Sequence, residues 1–142
     1  MLRIAVCDDE TAMTDRNKSV LEATLKELGI AGEITIYNDS RNLLYDITED
    51  NFHYDLLLSD IEMPDISGME LAEKIKPFLP DIRIIFITSH IEYAIDAFEL
   101  SIFRYVPKSD IEKRLPTAIK DAVSLINLEA DKSYTIQVKG RF

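Results

Sequence analysis

The chain has 142 residues, enough for one domain with an ordinary hydrophobic core. Apolar residues make up 46% and charged residues 30%, which excludes a disordered chain, and its best apolar run, Ile82 to Thr88, is broken by Arg83 and falls far short of the roughly 18 residues of a membrane span. A formal charge of −10 argues against nucleic-acid binding by net field, and the single cysteine, Cys7, excludes an internal disulfide and a multi-cysteine zinc site.

Leu2 to Cys7 is short, apolar and β-branched, the pattern of a buried strand. This opening has neither the n-region nor the long h-region of a signal peptide, so a cytoplasmic protein is expected. Met13, Val20, Leu21, Leu25 and Leu28 then form a helical stripe that stops at Gly29. Glu33 to Tyr37 alternates as a second strand. Ser40 is expected to cap a short helix bearing Leu43, Leu44 and Ile47. Asp55 to Ser59, with three leucines in a row, predicts a third strand. Ser67 and Glu70 have capping-box spacing and open a helix that ends before Pro77. Ile82 to Thr88 is the strongest strand signal, and a short helix with Tyr93, Ala94, Ala97 and Phe98 follows. Ile102 to Val106 predicts a fifth strand. The last helix carries Ile111, Leu115, Ile119, Ala122, Val123 and Ile126; Pro116 means that it either starts there or is kinked in its first turns.

Five near-continuous apolar strands separated by helices imply a doubly wound α/β fold, a parallel sheet covered on both faces. In such sheets the functional residues lie just beyond the carboxyl ends of the strands. Here those positions hold Asp8, Asp9 and Glu10 after strand one, Asp60 after strand three, Thr88 and Ser89 at the end of strand four, and Lys108 after strand five. Crowded carboxylates repel unless a cation is present. Oxygen ligands of this kind suit Mg2+, which takes a few carboxylates, waters and phosphate oxygens. A carboxylate can also act as a nucleophile toward phosphorus, and phosphoryl transfer is mostly positioning plus neutralisation of charge. Each residue alone is a weak signal. Adjacent aspartates are commonly a solvated turn, Thr88 could be a helix cap and Lys108 a surface charge. Four fitting residue types at four strand ends carry the argument.

At this point the sequence resembles the response-regulator receiver family over residues 1–127. The matching stretches are Ile4-Ala5-Val6-Cys7-Asp8-Asp9-Glu10, Leu57 to Leu71 around Ser59-Asp60-Ile61-Glu62-Met63-Pro64, Ile85-Phe86-Ile87-Thr88-Ser89, and Tyr105-Val106-Pro107-Lys108. The resemblance implies a flavodoxin-like five-stranded parallel sheet of order 2-1-3-4-5. It implies that Asp60 accepts a phosphoryl group from a phosphohistidine on a sensor histidine kinase, in a reaction that needs magnesium (Mg2+). Asp9 would ligate the metal directly, Asp8 directly or through water, with Asp60 and the backbone carbonyl of Glu62 completing the protein's share. Thr88 would bind a phosphoryl oxygen, Lys108 would pair with the phosphate, and Gly68 fits the loop beyond the phosphorylation site. Tyr105 would be the switch aromatic, outward in the resting state and inward after phosphorylation. The face of the fourth helix, fifth strand and fifth helix, with Ile91, Ile95 and Phe98 as candidates, would then support a homodimer. The chain is a signalling phosphoacceptor on this reading and not an enzyme.

The order Pro107-Lys108-Ser109 departs from the family's usual Lys-Pro, so a cis bond after Lys108 lacks proline's help. Ser109 with Glu112 could instead cap the next helix. Residues 128–133 are polar and read as a linker. Tyr134 to Lys139 alternates as a new strand, and residues 134–142 read as the cut-off start of a second domain, the alternative being an extension that pairs with the sheet edge. Tyr134 to Arg141 resembles the opening of a LytTR-type (LytR/AgrA-like) DNA-binding domain, so the whole protein would control transcription and meet DNA only through that missing part. His53 and His90 are too far apart in sequence for a histidine metal site, and Cys7 is expected to be a small buried apolar residue. Two rivals are a stand-alone relay domain and a phosphatase with an Asp nucleophile. The phosphatase would normally carry a second Asp at position 62, where this chain has Glu.

Overall fold

The computed structural model describes the backbone of residues 1–139 and the side chains of residues 1–130 other than that of Ile91. Five strands alternate with five helices: β1 (Leu2–Cys7), α1 (Thr11–Leu28), β2 (Gly32–Tyr37), α2 (Ser40–Thr48), β3 (Leu56–Ser59), α3 (Gly68–Ile75), β4 (Arg83–Thr88), α4 (Ala94–Glu99), β5 (Arg104–Pro107) and α5 (Ile111–Lys139). Short 3-10 turns at Ile91–Tyr93 and Lys108–Asp110 precede α4 and α5. The strands are all parallel and lie in the order β2-β1-β3-β4-β5. This is the expected doubly wound sheet with its expected strand order.

The two-residue period of the strands sends side chains to two separate cores. Ile4 and Val6 of β1, with Ile85 and Ile87 of β4, join Leu21 and Leu25 of α1 and Leu115 and Ile119 of α5. Ala5 and Cys7, with Ile84 and Phe86, join Leu43 of α2 and Leu71 and Ile75 of α3 on the other face. Each fully buried Leu, Ile or Phe contributes roughly 1.5–3 kcal/mol. Because both faces are covered, the central strands read as continuous apolar runs. β2 runs to one side of β1 and β3 to the other, so the strand order reverses at β1, where such sheets place their sites.

The helix ends follow local chemistry. Gly29 closes α1 with φ 67°, a left-handed conformation that glycine adopts at no steric cost. The Ser67 hydroxyl accepts from the Glu70 amide at 3.2 Å, as its spacing predicts. Two expectations are corrected. Asp39, not Ser40, caps α2, accepting from the Arg41 amide at 2.9 Å, while the buried Ser40 hydroxyl donates to the Ile66 carbonyl at 2.8 Å. Residues 128–139, read as linker and strand, are helical and continue α5. A strand needs a neighbour to take its hydrogen bonds, whereas an existing helix gains one bond for each residue added. Residues 140–142, the rest of that expected second-domain start, lie outside the described residues. α5 begins at Ile111 and contains Pro116, so the proline sits inside the helix. Among the described residues no peptide bond is cis, that after Lys108 included, and no helix is long and apolar enough to cross a membrane.

Candidate phosphoryl-acceptor site

Strand register assembles the site. Cys7 pairs with Ser59, so the next residues, Asp8 and Asp60, leave the sheet side by side. The Asp60 amide donates to the Cys7 carbonyl at 3.1 Å and fixes that juxtaposition. Thr88 pairs with Pro107, which brings Lys108 to the same edge. The loop after Asp60 folds tightly back: the Gly68 amide donates to the Ile61 carbonyl at 2.7 Å. A Cβ on Gly68 would stand 2.1 Å from the Asp60 carbonyl oxygen and 2.9 Å from the Ile61 Cα, so only glycine fits there.

Lys108 is the cation of the site. Its Nζ lies 2.9 Å from Asp60 Oδ2 and 3.6 Å from Asp8 Oδ2. Asp60 Oδ1 accepts from the Ile61 amide at 2.7 Å. Asp8 Oδ1 accepts from the Glu10 amide at 3.0 Å, but its buried Oδ2 has no hydrogen-bond partner. Burial therefore pushes the Asp8 carboxyl up to about 6. The Glu10 amide and Lys108 oppose that rise, and the charges of Asp60 and Asp9 add to it. Burial works against the charge on Lys108, yet its hydrogen bond to Asp60 and the nearby carboxylates hold its ammonium above the ordinary value.

Asp8, Asp9 and Asp60 offer carboxylate oxygens within 4.8 Å of one another, Asp9 exposed and the other two buried. A buried carboxylate oxygen without a donor, beside two more carboxylates, fits a hard divalent cation that keeps some waters. The Glu62 carboxylate is not in this group. It turns the other way, accepting from the Tyr93 hydroxyl at 3.2 Å and lying 2.9 Å from His90 Nε2.

Thr88 is wholly buried at the end of β4, and its hydroxyl oxygen accepts from the His90 amide at 3.2 Å. Tyr105 departs from the outward resting position expected of it. Its half-buried ring packs against the core that contains Phe86 and Ala97, and its hydroxyl is buried without a partner. Burial of apolar ring surface drives this. Desolvation, and then the charges of Glu92 and Asp60, push the phenol up to about 12. Cys7 is buried as expected, its Sγ 3.8 Å from Met63 Sδ, and burial followed by Asp8 pushes its thiol up to about 12. Ile95 and Phe98 of α4 are exposed, so neither is a core residue, and the side chain of Ile91 lies outside those described.

Two features escaped the sequence. The Asn38 side chain, just after β2, donates to the Asp8 carbonyl at 2.9 Å and to the Thr14 hydroxyl at 3.3 Å, pinning the loop that carries Asp8 and Asp9. The strand-end rule, applied to β2, would have found it. The Glu62–His90–Tyr93 contact depends on the course of two loops and left no sequence signal.

The response regulator receiver domain family model matches residues 4–120. The transcriptional regulatory protein NatR of Bacillus subtilis is 36% identical over 115 residues, 81% of this chain and 47% of NatR. The sensory transduction protein LytT of Bacillus cereus is 32% identical over 120 residues, 84% of this chain and 46% of LytT. The chain thus spans about half the length of these relatives. The response regulator TrrA of Thermotoga maritima, solved with Mg2+ and BeF, is 31% identical with a TM-score of 0.67, covering 86% of this chain and 99% of that one. With its strand order and its strand-end residues, the chain belongs to the response regulator receiver domain family and groups with regulators of the LytT and NatR kind.

Proposed function

We propose that this chain receives a phosphoryl group on Asp60 from a sensor histidine kinase. The observation that carries this reading is the placement of Asp60, with a lysine ammonium 2.9 Å from its Oδ2 and a buried, donorless Asp8 oxygen at the same edge. A lone pair on an Asp60 oxygen forms the new P–O bond as the P–N bond to the donor histidine breaks. The electron pair stays on the histidine ring nitrogen. Lys108, freed from its contact with the carboxylate, accompanies the added negative charge. Asp8, Asp9, Asp60 and the Glu62 backbone carbonyl would hold Mg2+. When bound, it supplies positive charge against the phosphoryl oxygens. The Mg2+ in the TrrA structure supports that choice of cation.

The output is a conformational switch. The Thr88 hydroxyl leaves the His90 amide for a phosphoryl oxygen, and Tyr105 beside it adjusts its packing. The face of α4, β5 and α5 changes and pairs with a second copy, for which the exposed Ile95 and Phe98 supply apolar surface. The protein is cytoplasmic and a signalling phosphoacceptor rather than an enzyme. In the whole protein a LytTR-type DNA-binding domain follows the receiver, and DNA is met through it. The length of the relatives and the name of NatR support this.

The test is intact mass after incubation with acetyl phosphate. A gain of one phosphoryl group that requires Mg2+ and disappears in Asp60→Asn is expected. A gain that survives in Asp60→Asn refutes the acceptor.

A further inference from the structure

We propose that the side chain of Glu62 is a clasp that ties the phosphoacceptor loop to α4, so that occupancy of the Asp60 site is felt at the output helix. This rests on the receiver reading above and adds to it a positioning role for Glu62, His90 and Tyr93.

α4 is poorly anchored by its own residues. It has six, and only Ala97 is buried. The strand before it, β4, is by contrast buried at every residue after Arg83. Its leading end is held by the partly buried Tyr93 ring, which packs against the core that contains Phe86 and Ala97, and by polar contacts. Glu62 Oε1 accepts the Tyr93 hydroxyl at 3.2 Å, and Glu62 Oε2 lies 2.9 Å from His90 Nε2. The two rings pack edge to face, centroids 6.1 Å apart. His90 Nδ1 lies 3.1 Å from Glu92 Oε1, and the His90 amide donates to Thr88. One carboxylate therefore gathers two of the polar side chains in the segment between β4 and α4, His90 and Tyr93.

The clasp's other end is the site itself. Glu62 stands two residues after Asp60, in the loop that Gly68 locks against the Asp60–Ile61 peptide. That loop cannot shift without carrying the Glu62 carboxylate with it, because Ile61 is buried and its carbonyl is bonded. A charge or ligand that moves Asp60 or the Glu62 backbone thus changes the distance to Tyr93 and His90. Coupling of this kind is reciprocal: loosening the clasp at Tyr93 must alter the loop at Asp60. The contacts are exposed, so each is modest in strength, which suits a link that has to be made and broken.

Amide hydrogen exchange of the whole chain tests this, in wild type, Glu62→Ala, Tyr93→Phe and the double variant, with and without Mg2+. Without metal, each single variant should speed exchange at residues 92–100 by about fivefold, the factor one hydrogen bond of ordinary net strength gives. The double variant should be no faster than the faster single one, because both remove the same contact. Glu62→Gln keeps an acceptor for Tyr93 and should stay near wild type. Unchanged exchange at 92–100 in Glu62→Ala, or fully additive effects, would overturn the clasp. Added Mg2+ should slow residues 8–10 and 92–100 together in wild type, and only 8–10 in Glu62→Ala. Slowing at 8–10 alone in wild type would overturn the coupling. No slowing at 8–10 would instead count against the metal site, with the metal-free arm still deciding the clasp.

Discussion

β4 and α4 follow one another in the chain, yet they are built differently. In β4 every residue after Arg83 is buried, and Phe86 is wholly enclosed. In α4 only Ala97 is buried, while Ile95 and Phe98 are 74% and 84% exposed. The strand holds Thr88 wholly buried in a rigid frame, as the proposed phosphoryl chemistry would require. The helix is held at its start by polar contacts that can rearrange at little cost. Receiving a signal calls for a rigid site and passing it on calls for a loose element, and this chain puts them side by side.

Substitution can break that contrast, and the largest effect belongs to the rigid side. Phe86→Ala should cost about 3–5 kcal/mol in urea unfolding, the usual cost of emptying a wholly buried aromatic site. A loss below 1 kcal/mol would mean that β4 is not the fixed partner. Gly68→Ala comes next. Its methyl group would have to displace the Asp60 carbonyl, so about 2–3 kcal/mol of stability and most of the phosphorylation by acetyl phosphate should go together. Normal phosphorylation in that variant would show that the loop yields.

The third effect is one of pH. The Asp8 carboxyl sits at about 6, above its ordinary value near 4, because it is buried. Between those values the folded chain holds a proton that the unfolded chain has lost, so metal-free stability should fall as pH rises from about 4 to 6. The fall attributable to Asp8 is on the order of 2 kcal/mol, read as wild type minus Asp8→Asn. Mg2+ should shrink it, and equal slopes in the two proteins would show that Asp8 is not desolvated. The smallest effect lies on the loose side. Phe98→Ala should change stability by no more than about 0.5 kcal/mol, yet weaken dimerisation of the phosphorylated chain in sedimentation. A large loss of stability would make α4 a core element after all.

Much of this was legible in the residues. The Leu57-Leu58 run and the Ile84 to Ile87 run announce strands buried on both faces, and Asp8, Asp60, Thr88 and Lys108 reach one edge because the sheet aligns all carboxyl ends. Tertiary events were not legible. Which of Asp39 and Ser40 caps α2 depends on Ile66 lying within reach of Ser40. The packing of Tyr105 depends on the core that contains Phe86 and Ala97, and Glu62 meets Tyr93 only because two loops converge. The alternation after Tyr134 predicts a strand, but a strand without a neighbour loses to an existing helix.

The most direct measurement is at residue level. The chain phosphorylated with acetyl phosphate is reduced with borohydride, which converts an acyl phosphate to an alcohol, and its peptides are then sequenced by mass spectrometry. Homoserine at position 60, absent from the unphosphorylated control, is the predicted result. Homoserine at position 8 or 9, with Asp60 intact, would contradict the account.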